Sequence, residues 1–135
     1  MRWLGAFEAE LLAVMRVVVG FLFACHGAQK VFGVFGGLDE RGAAAPLLSL
    51  LGVGGLIELL AGVLVAVGLF SRYAAFIASG QMAVAYFMAH QPQGVLPITN
   101  GGELAALYGF VFLYLAARGR GRLTLAAALG RPDLG

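Results

Sequence analysis

The sequence predicts an all-α integral membrane protein: a single domain over residues 1–135, with four transmembrane helices running up-down-up-down and both termini in the cytoplasm. Three observations predict it. The chain is 61% hydrophobic and 12% charged, whereas soluble domains average about 25% charged. A domain of this size cannot hide so much apolar surface from water, so lipid must cover part of it. The apolar residues fall in four runs, about 11–32, 46–70, 73–89 and 102–117. Finally, Lys and Arg divide seven against two between the two sides that those runs define.

Each run is close to the roughly 17–25 residues that cross a hydrocarbon core about 30 Å thick. Backbone facing lipid must satisfy its own hydrogen bonds, so the runs are helices. They are rich in Leu and Ala and do not alternate, which argues against strands. Glu8 and Glu10 precede the first run, which is longer than the roughly 7–15 apolar residues of a signal peptide, so no cleaved leader is expected. Arg16, His26, Gln29 and Lys30 interrupt this run. A glycine-rich loop, 33–45, follows. The second run opens at Pro46, a residue suited to the first helical position, and Glu58 is its single charge. Ser71-Arg72 reads as a tight turn that makes runs two and three antiparallel neighbours. The loop 90–101 carries Pro92, Pro97 and the Asn100-Gly101 turn signal. Residues 118–135 form a tail that can add a short surface helix near 123–129. Gly54, Gly55 and Gly62, with Ala66, read as positions where helices pack closely.

Orientation follows from the basic residues. Arg2, Arg16, Arg72, Arg118, Arg120, Arg122 and Arg131 lie on one side, and Lys30 and Arg41 on the other. The termini and the 71–72 turn are therefore expected in the cytoplasm and the long loops outside, as in a multi-pass protein of the bacterial cytoplasmic (inner) membrane. Arg16 reads as snorkelling to the cytoplasmic face.

Ionisable groups inside spans are costly and usually face the bundle interior. Depth can be measured from the cytoplasmic arginines at about 1.5 Å per residue. His26 then lies about 15 Å above Arg16 and Lys30 about 21 Å. Glu58 and Tyr86 lie about 21 Å above Arg72, and above Arg118 Glu103 lies about 22 Å and Tyr108 about 15 Å. All four helices deliver polar groups to the outer half of the bilayer. The candidate polar site is His26, Gln29, Lys30, Glu58, Gln81, Tyr86, His90, Asn100, Glu103 and Tyr108. His26 and Lys30 share one helix face, as do Tyr86 and His90, whereas Gln81 points roughly 140° away from Tyr86. The economical arrangement pairs Glu58 and Glu103 with Lys30, and His26 or Tyr86 adds a hydrogen bond.

The single cysteine, Cys25, excludes an internal disulfide, a dithiol relay and a cysteine-rich metal site. No Glu-x-x-His motif offers a carboxylate-bridged metal pair. His26 and His90 differ by about 12 Å in depth, which argues against haem ligation. No metal, intrinsic cofactor or nucleic-acid partner is expected.

Three segments resemble the DoxX family of small bacterial four-helix membrane proteins. They are HGAQKVFG (26–33), GLIELLAGVLVAVGLFSRYAA (55–75) and MAVAYFMAHQPQGVLPITNGGELAALY (82–108). Where family members often carry Ser-Leu-Asp near the C-terminus, this chain has Thr124, Leu125 and Ala126, so the acid's docking or capping role is missing. The resemblance implies a cytoplasmic-membrane location. It also implies either a subunit of a quinone-linked oxidoreductase or a protein associated with redox or thiol stress.

Three functions stay open. In a quinone-handling subunit, His26 or Tyr86 would hydrogen-bond a quinone oxygen, Glu58 or Glu103 would relay protons, and Lys30 would tune them. The chain shows no redox centre of its own, so this reading requires an electron-donating protein partner. In a transport subunit for protons or small molecules, the same layer would be the substrate site and a homo-oligomer would supply the volume. In a structural or assembly partner, the layer would only set helix register and dock another protein.

Overall fold

A computed structural model describes residues 2–39, 41–119 and 123–134. Arg120 and Arg122, counted above among the cytoplasmic charges, lie outside the described residues, as does the side chain of Arg2. The described chain is all-helical. Its long helices are α1 (Glu8–Phe32), α2 (Leu50–Val67), α3 (Ser71–Ala85) and α4 (Glu103–Arg118). A π-helical turn, Tyr86–His90, and a 3-10 turn, Gln91–Gln93, prolong α3. Short helical turns occupy Pro97–Asn100, Leu125–Ala128 and Pro132–Leu134. By length and composition, α1 and α2 can each cross a membrane.

Local chemistry sets the helix ends. Gly33 ends α1 in the left-handed region, φ 69°, its N–H bonded to the Gln29 carbonyl. Pro46 does not open α2, contrary to the sequence reading. Ser49 is the N-cap, accepting a hydrogen bond from Gly52 N at 3.1 Å, while the Pro46 carbonyl accepts from Ser49 N and Oγ. A hydroxyl that satisfies an orphan helix N–H outweighs a favourable proline φ. The turn between α2 and α3 also falls earlier than Ser71-Arg72: Gly68 caps α2 at φ 74° and Ser71 is already helical.

The tightest packing joins α1 to α2. A Cβ on Gly20 would lie 2.7 Å from the Gly62 carbonyl oxygen, and one on Gly27 2.6 Å from that of Gly55. Gly20 and Gly27 are seven residues apart, as are Gly55 and Gly62. Two antiparallel helices therefore meet backbone to backbone at two places, one heptad apart. Gly54 lies elsewhere, facing Gln81 of α3. On the other side of α1, Phe23 is buried against Phe112 and Tyr108 of α4, with ring centroids 4.6 and 5.3 Å apart, and this closes the bundle. At the Arg16 end an exposed ion pair, Arg118 Nη2 to Glu8 Oε1 at 2.9 Å, also spans α1 and α4.

Arg16 does not reach solvent as the sequence suggests; only 3% of it is exposed. The tail folds back over it: Arg16 Nη2 donates to the Leu123 carbonyl at 2.8 Å, and Phe70 N donates to that of Leu134. Within the tail, Thr124 Oγ1 caps the turn Leu125–Ala128 by accepting from Ala127 N, and Ala126 is fully buried. Ala126 is thus a small side chain packed inside, and Thr124 performs the capping.

Candidate functional site

The site is built around Glu58, a carboxylate 1% exposed in the middle of α2. Lys30 Nζ donates to both of its oxygens, at 2.5 and 2.7 Å, and Gln81 Nε2 donates to Oε1 at 3.1 Å. Helical side chains tilt toward their own N-terminus. Because α1 and α2 are antiparallel, Lys30 and Glu58 lean toward one another along the bundle. Removing one partner of such a buried pair costs about 3–5 kcal/mol, since the survivor keeps an uncompensated charge.

A chamber of about 200 Å³ adjoins this pair. α1 contributes Phe23, His26 and Lys30, which share one face, and α4 contributes Leu104, Ala105 and Tyr108. Met82, Ala85 and His90 close the α3 side, and Gly101 the loop side. Aromatic rings form the base: Tyr108 stacks on Phe112 at 5.7 Å and 14°, and His26 meets Tyr108 edge-on at 6.2 Å. Among the described residues the His26 nitrogens and the Tyr108 hydroxyl have no hydrogen-bond partner. His90 Nδ1 lies 3.1 Å from the Asn100 carbonyl. A carbonyl only accepts, so Nδ1 carries the proton, and the neutral ring's lone pair is on Nε2.

Of the residues expected from the sequence, His26, Lys30, Glu58, His90 and Tyr108 line one chamber, and Gln81 holds Glu58 from behind. Asn100 and Tyr86 instead form a clasp for the loop. Asn100 Oδ1 accepts from Gly102 N at 2.8 Å, its Nδ2 donates to the Gly94 carbonyl at 2.7 Å, and the Tyr86 hydroxyl reaches the Val95 carbonyl at 3.3 Å. Tyr86 opens the π-turn and reaches the loop and the α3–α4 surface, while its ring stays 6.4 Å from that of His90, which lines the chamber. Gln29 approaches the Phe35 carbonyl in the neighbouring loop, at 3.5 Å.

The expected pairing of Glu103 with Lys30 is corrected: Glu103 is exposed and opens α4. There its charge favours the helix N-terminus, whereas Glu58 already occupies Lys30. Phe23 and Met82 were not singled out from the sequence, nor were Gly20 and Gly27. The matching seven-residue spacing of glycines in the first two runs is the signal that could have found the glycine pair. No three histidine, cysteine or carboxylate side chains among the described residues converge where a metal could sit.

A second space lies on the far side of the pair. A groove of about 410 Å³ between α2 and α3 is walled by outward-facing apolar residues, including Leu50, Leu51, Phe76 and Val84; Gln81 lines it, and like the chamber it reaches Lys30 and Ala85. Lys30 thus stands between a chamber whose apolar walls carry a few polar groups and an apolar groove open to the surroundings.

Long apolar helices wrapped around a buried ion pair, with large apolar side chains on the outside, define a small helical membrane protein in contact with the bilayer. The comparisons agree. Residues 11–91 match the DoxX family profile, and the chain belongs to the DoxX family. It is 42% identical over 125 residues to an uncharacterized protein of Haemophilus influenzae, an alignment covering 90% of this chain and 92% of that one. No solved structure matches. The profile match contains His26, Lys30, Glu58, Gln81 and His90, and ends before Tyr108.

Proposed function

We propose that this protein is the membrane subunit of a quinone-linked oxidoreductase, crossing the bacterial inner membrane four times with both termini in the cytoplasm. The continuous helical run from Ser71 to His90 supports the third crossing, because twenty residues rise about 30 Å. Exposed Phe76, Phe87, Leu107 and Phe110 on α3, its extension and α4 need lipid around them.

The observation that carries the proposal is the position of the Lys30–Glu58–Gln81 cluster, between the chamber and the outward groove. At about 200 Å³ the chamber is smaller than the roughly 300–1,000 Å³ of ordinary ligand sites. It suits a head group whose tail lies elsewhere, and the groove offers that tail an apolar bed. A quinone–quinol couple carries two electrons together with two protons. Lys30 has one N–H beyond the two that Glu58 accepts and can donate it to a ring oxygen. His26 and the Nε2 of His90 can hold or release a proton beside that oxygen. With the single Cys25 and no redox-centre motif in the sequence, this reading assigns the electrons to a protein partner. A second copy of this chain is compatible with the same site.

The test is titration of the purified protein in lipid nanodiscs with a decyl-substituted benzoquinone. Saturable binding is expected, weakened at least about tenfold (about 1.4 kcal/mol) in His26→Ala, which loses a contact, and in Glu58→Gln, which frees Lys30 from the position that aims it at the ring oxygen. Wild-type protein that binds no quinone analogue overturns the proposal. If Glu58→Gln then alters only stability, the cluster is a register lock between helices, a role that the two-oxygen grip of Lys30 on Glu58 also suits.

A further inference from the structure

Gln81 carries an unused group. Its Nε2 donates to Glu58 Oε1, and its Oε1 is buried with no hydrogen-bond partner. The amide orientation is settled by its neighbour, because a carboxylate accepts and only the NH₂ end can face it. Gln81 therefore keeps an acceptor that nothing satisfies, and an unmet buried polar atom is costly. Lys30 meets the same carboxylate oxygen and retains one N–H donor. One spare donor and one spare acceptor converge at Glu58 Oε1, and both residues line the α2–α3 groove.

We infer that this groove is the lateral entrance from the lipid, and that Gln81 selects the reduced, hydroxyl-bearing form of the ligand, an alkyl hydroquinone. A hydroxyl is a donor and an acceptor on one atom. Gln81 Oε1 is closed off from the groove, so a small rotation of its amide must open it; the hydroxyl oxygen then accepts from Lys30 Nζ while its proton goes to Gln81 Oε1, and both spare groups are satisfied together. A quinone carbonyl accepts from Lys30 but leaves Gln81 Oε1 unmet. The alkyl tail lies along the groove beside Gly80, where a Cβ would meet no atom within 4 Å. This inference rests on the quinone reading above and adds the redox form and the route of entry.

The experiment compares dissociation constants for decyl-benzoquinol, decyl-benzoquinone, 4-decylphenol and dioctanoylglycerol in anaerobic nanodiscs. Wild-type protein should prefer the quinol and the phenol over the quinone by about tenfold, the effect of one buried hydrogen bond. Gln81→Leu should bring that ratio to about one. Gly80→Leu fills the groove away from the ion pair and should weaken every decyl probe. The readout is a ratio, so a general loss of affinity in Gln81→Leu does not imitate the effect. Equal wild-type affinity for quinol and quinone, both sensitive to Glu58→Gln, overturns the inference and leaves the quinone reading intact. Tight decyl-probe binding unaffected by Gly80→Leu overturns the entry route. Dioctanoylglycerol binding as tightly as quinol assigns the groove to a glycerolipid and overturns the hydroquinone assignment. If no probe binds, both proposals fall.

Discussion

Arg16 and Lys30 are cations on the same helix, yet their surroundings differ. Arg16 is 3% exposed and lies at the C-terminal end of α2, beside the Gly68 cap, where the carbonyl dipoles of the helix favour a positive charge. Its Nη2 bonds one backbone carbonyl, its Nε and Nη1 have no partner among the described residues, and the folded tail seals it in. The Lys30 side chain, 24% exposed, is bound to a carboxylate and borders two spaces. One cation is neutralised by dipoles within solid packing, and the other by a counter-charge beside empty volume. Burial of a charge therefore does not mark a site here. A charged side chain that lines open space does.

The comparison breaks most visibly at Lys30. Lys30→Met should lower stability by about 3–5 kcal/mol, because it leaves the buried Glu58 without its counter-charge and with only the Gln81 hydrogen bond. The double change Lys30→Met with Glu58→Leu should recover most of that loss, since a buried pair and an apolar pair of similar volume are often equivalent. Reversible unfolding in mixed micelles measures both. A single change as mild as the double would mean that the pair is not closed in the membrane.

Next in size is the glycine contact. Gly27→Ala and Gly20→Ala should each cost about 1–3 kcal/mol by forcing α1 from α2. Only Gly27→Ala, at the Lys30 end, should also weaken quinone-analogue binding, and parallel unfolding and binding titrations separate the two. The smallest effect belongs to Arg16. Arg16→Met forfeits one charge-assisted hydrogen bond but removes two unsatisfied donors, so the net change should stay within about 1.5 kcal/mol. Its sign should appear in limited proteolysis, as faster cleavage within 119–134 once Leu123 is released. An Arg16→Met loss equal to that of Lys30→Met would erase the distinction.

Much of this was legible in advance, for definite reasons. Apolar runs reveal helices because lipid leaves no other solution for the backbone. The partnership of Lys30 with Glu58 follows from the cost of leaving either alone. Depth along a helix also follows from residue counting, but the direction in which a side chain points does not. Glu103 has the depth of Glu58, yet it sits on the exposed first turn of α4. Tyr86 and His90 do lie side by side, ring centroids 6.4 Å apart, but the Tyr86 hydroxyl goes to the Val95 carbonyl in the loop, a contact that spacing along the helix does not announce. The burial of Arg16 depends on a tail more than a hundred residues downstream, and no local pattern announces such a contact.

The most direct trial is photoaffinity labelling of the nanodisc-embedded protein with an azido-benzoquinone, followed by peptide mapping. Labels should concentrate on residues 23–30, 54–58 and 80–90, the segments around Lys30, Glu58 and Gln81, and an excess of unlabelled quinone should compete them away. Labelling spread over outward residues such as Leu107 and Phe110, with no competition, would contradict the assignment of a ligand to this cluster.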